Sequence, residues 1–215
     1  GSLGWLLAAS QGQGKALDNQ GTNEAANGDR TRPNPQTDRA NVLLAKLVLR
    51  PTAAQKHVLT LERIEKKSDY ELLTARAKPP LTANSVLNGN ALSTAERTRL
   101  TWEARYKTDS WLADNVQTVL GYQDAASRQY TYEDRNTSPD RVRDMTYDER
   151  SWQAGLQADK TFRISSAWSQ KITYGMDYAR ADIDNLQTCQ VTVVVETVLL
   201  KRFPDTTASS AALYL

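Results

Sequence analysis

The sequence predicts an all-β chain: an antiparallel meander of long strands that forms part of a transmembrane β-barrel. Three observations predict it. Strand-like runs alternate apolar and polar residues with a period of two. Tight turns alternate with long polar connections. Aromatic residues gather near the ends of the runs.

The runs come in order. Trp5–Ser10 is the first, followed by a polar stretch over 11–40 that is rich in Gly, Asn, Asp, Gln and Arg. Asn41–Arg50 and His57–Lys67 flank a tight turn at Pro51–Gln55. A second polar stretch covers 68–96 and holds Pro79-Pro80 and Asn88-Gly89-Asn90. Arg97–Tyr106 and Trp111–Gln123 flank a tight turn at Lys107–Ser110. A third polar stretch covers 124–148. Glu149–Phe162 and Trp168–Arg180 flank a short connection at Arg163–Ala167. A fourth loop reaches Pro204, and Ala208–Leu215 begins another strand. Soluble domains seldom carry loops beyond about 15 residues, and not at every second connection. Membrane barrels have this asymmetry, with short turns on the periplasmic side and long loops outside.

Alternation defines a lipid face. Leu100, Trp102, Ala104 and Tyr106 oppose Thr101, Glu103 and Arg105. Trp152, Ala154, Leu156 and Ala158 oppose Gln153, Gly155, Gln157 and Asp159. Ile172, Tyr174, Met176 and Tyr178 form a third row, and Leu43, Ala45, Leu47 and Leu49 a fourth. The runs are about 9–13 residues long, which suits a tilted membrane strand. Tyr106 and Trp111 flank one turn, and Phe162 and Trp168 another. Glu103, Arg105, Asp114, Gln117, Gln157 and Asp177 on the inner side are costly in a dry core but suit a wet lumen.

Composition excludes other classes. Net charge is +2, from 27 basic and 25 acidic residues. Arg is scattered among Asp and Glu, so there is no basic stripe for nucleic acid. Mean hydropathy is −0.60, and no run approaches the roughly 18–20 apolar residues of a spanning helix. The single cysteine, Cys189, permits no internal disulfide. No signal peptide is recognisable, and Gly1-Ser2 suits an expression scar.

Two segments carry a family resemblance. Leu92 to Tyr106, with its Arg97-Thr98-Arg99 entry and the Trp102-Glu103-Ala104-Arg105-Tyr106 alternation, resembles barrel sequence of TonB-dependent haem and haemoprotein receptors. Lys201-Arg202-Phe203-Pro204-Asp205-Thr206, followed by a small-residue strand ending in Leu213-Tyr214-Leu215, resembles a loop exit of the same barrels. The resemblance covers about residues 4–187 and 201–215. Residues 188–200 depart from it, because a polar Gly- and Pro-containing loop is expected there.

The resemblance implies an active-transport receptor of the bacterial outer membrane, energised through TonB, with haem or a haemoprotein as cargo. It implies a barrel of 22 strands around a plug. No plug segment is recognisable in 1–215, and about seven or eight strands fit the chain, so a barrel fragment is expected. Its partners are the TonB complex through the plug, outer-membrane lipid and lipopolysaccharide, and no nucleic acid. The fragment itself is expected to bind no cofactor and no metal. A ferric-siderophore receptor is one alternative, and a soluble β-sandwich adhesin or carbohydrate-binding module is another.

Other residues have ordinary readings. His57, the only histidine, follows a tight turn on the periplasmic side and is an interface or lumen residue, not a haem ligand. No Ser sits in a Gly-x-Ser-x-Gly context, so no hydrolase is expected. Asp182-Ile183-Asp184-Asn185 is a solvated loop without calcium-loop spacing. The sequon Asn136-Thr137-Ser138 is coincidental. Cationic and aromatic side chains of the outer loops suit anionic ligands or phosphates. Arg76, Tyr130, Tyr132 and Arg141 are the candidates chosen among Arg30, Arg32, Arg39, Tyr70, Lys78, Arg135 and Arg143.

Overall fold

Consecutive strands pair antiparallel as far as the eighth, with register irregularities at Val86/Asn88 and Cys189/Val191, and the ninth pairs with the seventh. The computed structural model describes residues 1–165, 168–191, 194–200 and 204–215; for 191 and 194–200 only the backbone is described. The strands are β1 (Ser2–Lys15), β2 (Gln36–Arg50), β3 (Gln55–Glu71), β4 (Val86–Lys107), β5 (Asn115–Arg135), β6 (Arg141–Arg163), β7 (Ser169–Val191), β8 (Val194–Leu200) and β9 (Thr206–Tyr214). A single 3-10 turn, Leu73–Ala75, follows β3. The sheet order is sequential, and nothing packs as a second layer on either face among the described residues. The rival β-sandwich reading therefore has no second sheet to rest on.

The last two strands are one strand in two pieces. β8 pairs with Gln187–Val191 of β7, and β9 pairs with Gly175–Ile183 of the same edge. Between them lies Pro204, which has no N–H to give to a ladder. The meander thus has eight positions across, as the strand count from sequence anticipated. The expected fourth loop, 181–204, is instead mostly strand. Of the β-prone run at 188–200, residues 188–191 complete β7 and 194–200 build β8, while 192–193 lie outside the described residues. Lys201-Arg202-Phe203 of the second resemblance motif lies outside the described residues.

Strand length is the main correction. β1 to β7 run from 14 to 23 residues, well beyond the expected range. The polar stretches 11–40, 68–96 and 124–148 shrink to connections of 16–35, 72–85 and 136–140. The reason is physical: beyond the apolar rows both faces are polar, so period-two hydropathy vanishes while the ladder continues. Trp111 and Asp114 move the other way. Both lie in the β4–β5 connection, where Thr108 N–H donates to the Asp114 carbonyl at 2.8 Å. Asp114 is thus a turn residue and not an inner-face one. Asn88-Gly89-Asn90 and Asp182–Asn185 are strand, not loop.

One glycine is required by a close approach. A Cβ at Gly175 would meet the Tyr214 side chain and the Leu156 carbonyl. The Tyr214 ring therefore lies over the bare backbone of its cross-strand partner, a pairing known to rescue strand glycines. Gly121 has room, since its nearest neighbour would be Gln153 Cβ at 3.7 Å. Gly175→Val is expected to expel Tyr214 and loosen β9, read as faster proteolysis near Asp205. Gly121→Val is expected to leave that cleavage rate unchanged.

Candidate membrane-facing surface and outer rim

Cross-strand partners present their side chains on the same face, so the register sorts the sheet into rows. One row reads Trp5, Leu47, Leu59, Trp102, Leu120, Ala154, Tyr178 and Ala211. The next row on that face reads Leu3, Leu49, His57, Ala104, Thr118, Leu156, Met176 and Leu213. Tyr106, Val116, Ala158 and Tyr174 follow on one side, and Leu61, Leu100, Tyr122 and Trp152 on the other. The residues chosen from sequence as membrane-facing, from Leu100 to Tyr178, all fall on this face, Ile172 included. Trp152 is 57% exposed and Met176 51%.

The other face is mixed at the same level, with polar rows on either side of one that reads Gly4, Val48, Val58, Glu103, Val119, Gly155, Asp177 and Ala212. Thr60, Thr101, Gln153 and Ser210 share a row, as do Lys56, Arg105, Gln117 and Gln157. Glu103 and Asp177 lie between them. A more polar face of this kind suits water.

The apolar rows form a slanted band. At β1 and β2 its upper edge is Ala9 and Leu43, in the row of Thr98. At β7 the upper edge is Tyr178, in the row of Trp102. A flat apolar slab that crosses tilted strands must slip along the register in this way.

Aromatic side chains border the band. Tyr122 and Trp152 pack with ring centroids 4.5 Å apart at its upper edge. Toward the turns, His57 stacks on Trp102 at 6.0 Å and meets the edge of Tyr106 at 5.5 Å. The Tyr174 hydroxyl donates to the Leu112 carbonyl at 2.9 Å, and Lys160 Nζ donates to Asp114 at 2.7 Å. Apolar rings with polar tips tied to turn backbone suit an interface. His57 accordingly sits among aromatic rings.

Above the band both faces carry charge, more of it on the formerly apolar one. The formerly apolar face carries Arg63, Asp124, Arg150 and Asp182 in one row. Glu65, Glu96, Asp148 and Asp184 follow in the next, then Arg39, Lys67 and Arg128. The opposite face at this level mixes Val42, Ile64, Ala125 and Ile183 with Glu62, Lys66, Arg97, Arg99 and Glu149. Sequence reasoning missed this charged belt. Its signal was present, since Arg180, Asp182 and Asp184 continue the spacing of Tyr174, Met176 and Tyr178.

The candidate ligand contacts are mostly engaged within the chain, and only Arg76 lies on a loop. Tyr130 and Tyr132 are on β5, and Arg141 opens β6. Arg76 donates to Glu71 and Asn88, both at 2.9 Å. Arg141 donates to Glu133 at 2.8 Å, and Arg143 to the same carboxylate at 3.0 Å. Glu133 is only 8% exposed, so these guanidiniums balance a buried charge. Tyr132 donates to Asp140 at 2.8 Å. Tyr130 alone borders an open groove, of about 720 Å³, lined also by Lys15, Tyr70, Glu71 and Leu92. Of the sequon, Asn136 Nδ2 donates to the Thr82 carbonyl and Ser138 bonds Asn84, so both serve loop structure. Among the described residues no group of acidic, His or Cys side chains is placed to hold a metal ion.

A search against protein-family models and curated proteins returns no match. The family resemblance therefore rests on the residues quoted for it.

Asp140 organises the β5–β6 tip. The Tyr132 hydroxyl and the Arg135 backbone N–H both donate to it, and together they hold its carboxyl below the usual aspartate value of 3.8. A depressed carboxyl pKa adds stability that is present above the unfolded value and is lost as pH falls through the folded one. The protection factor of the Arg135 amide, its exchange rate relative to the unstructured rate at the same pH, is thus expected to be high at neutral pH and to fall on acidification below about pH 4. Asp140→Asn is expected to remove that pH dependence.

Proposed function

We propose that this chain is a wall segment of an outer-membrane β-barrel, within a TonB-dependent receptor that takes up haem or haem from haemoproteins. The observation that carries the membrane reading is the slanted apolar band with aromatic borders, beside a more polar opposite face. The free edges of the sheet support a larger barrel. Among the described residues β1 pairs only with β2, and β8 and β9 share the last edge. Lipid leaves an unpaired edge without hydrogen-bond partners, so further strands complete the wall.

In this reading the polar face lines the lumen toward a plug, and the plug couples to the TonB complex. Transport needs no covalent chemistry from these residues. What supports haem as cargo is the resemblance of the Leu92–Tyr106 segment. A Soret shift on titrating the complete receptor with haem is expected, and a response to ferric siderophores alone contradicts that cargo.

The membrane reading has its own test. Leu120 lies in the middle of the apolar face and Val119 beside it on the polar face. Leu120→Arg is expected to cost about 2–4 kcal/mol of folding stability in a bilayer. Val119→Arg is expected to cost far less. Equal costs in reversible folding into lipid vesicles contradict the assignment.

A further inference from the structure

We infer that the more polar face of the sheet holds a binding site for a small polyanion bearing phosphate or carboxylate groups, in a hollow beside the tight turns. The hollow has a volume of about 400 Å³, within the range of about 300–1,000 Å³ that small-molecule sites occupy. Its wall is one row of the ladder and the end of the next. Lys56 and Arg105 are paired directly across β3 and β4, and Gln117 and Gln157 continue the row on β5 and β6. Leu49 pairs with His57, so Arg50 stands level with Lys56 on β2, and three cations lie abreast. Lys107, two residues beyond Arg105 on the same face, adds a fourth.

The chain does not neutralise this hollow itself. Among the described residues, no carboxylate lies within ion-pairing distance of Arg50, Lys56, Arg105 or Lys107. The one carboxylate in the lining, Asp159, is already engaged. The Asn115 amide donates to it at 2.9 Å, and Lys171 Nζ lies 3.5 Å away. Glu103 points to the same side but belongs to the next row, with Val58 and Val119. The far end of this face is built differently, for there Arg141 and Arg143 both close on the buried Glu133.

Like charges directly opposed across a ladder repel, and an anion between them turns the repulsion into attraction. A singly charged anion answers only one of the three cations abreast, so at least two negative charges fit the row. The side-chain amides of Gln117 and Gln157 make no hydrogen bond among the described residues. They offer donors and acceptors at the other end of the hollow, which suit ligand hydroxyls. Arg takes phosphate and carboxylate alike in a forked geometry. The hollow belongs to the sheet itself, so the inference goes beyond the transport reading and is independent of the cargo.

The test uses the complete protein folded in detergent micelles at fixed ionic strength, with pyrophosphate and citrate as probes and acetate as the singly charged control. At least one probe is expected to bind about tenfold more tightly than acetate, and which one does so tells phosphate from carboxylate. Lys56→Gln with Arg105→Gln is expected to lose about tenfold or more of that affinity, since a hydrogen bond to a charged group is worth that much. With no anion present, the same double variant is expected to unfold at a higher denaturant concentration than wild type. Arg99→Gln, on the same face outside the hollow, is expected to bind as wild type. Probes that bind no better than acetate overturn the inference, as does unchanged binding by the double variant or an equal loss in Arg99→Gln. A wild type that ignores both probes but binds a poly-glutamate peptide also overturns it, because the hollow then serves a protein partner. A double variant less stable than wild type contradicts the repulsion on which the site depends.

Discussion

Backbone hydrogen-bond pairing is the constraint on which the rest of this structure depends, and in the proposed membrane setting no water can replace it. In hydrocarbon every peptide group must find a partner in the protein, and only helices and laterally closed sheets manage this. No helix among the described residues is long and apolar enough to cross a membrane. In the proposed membrane setting the strand ladders do that work, and they run with little interruption. Once the ladder is fixed, side chains have only two directions to take. The division into an apolar row of Trp102, Leu120 and Tyr178 and a polar row of Thr101, Gly121 and Gln153 follows from that geometry alone.

The same constraint explains what was legible in the sequence. Strand type, order and facing were readable wherever one face is apolar, because alternation reports facing directly. Leu100 to Tyr106 and Ile172 to Tyr178 are the clearest cases. The extensions were not readable as strand. Residues 124–135 and 141–148 carry Asp, Arg, Gln, Glu and Tyr on both faces, and that composition looks like a loop. They are strand because the neighbouring ladder templates them, and because Arg128 forks onto Asp144 across the strands at 2.7 and 2.6 Å. Such pairing is a tertiary fact that no local window contains.

The candidate outer contacts failed to come together for a related reason. Arg76, Tyr132 and Arg141 were chosen as exposed ligand groups on loops. In the structure each has a carboxylate partner, and Tyr132 and Arg141 stand on strands. A cation near a binding face and a cation that neutralises a buried Glu133 read alike until the register is known. The charged belt was overlooked for the opposite reason. Attention to hydropathy discards positions where the period continues with Arg and Asp in place of Leu and Trp.

The central claim is that the Leu100–Trp102–Tyr106 face meets hydrocarbon. It is tested most directly by spin labels placed one at a time at positions 100 to 106, with Cys189 replaced by Ser, in the complete barrel in bilayers. Collision rates with oxygen, which concentrates in lipid, are expected to peak at 100, 102, 104 and 106. Collision rates with a water-soluble nickel reagent are expected to peak at 101, 103 and 105. A flat profile, or one with the two reagents exchanged, would contradict the account.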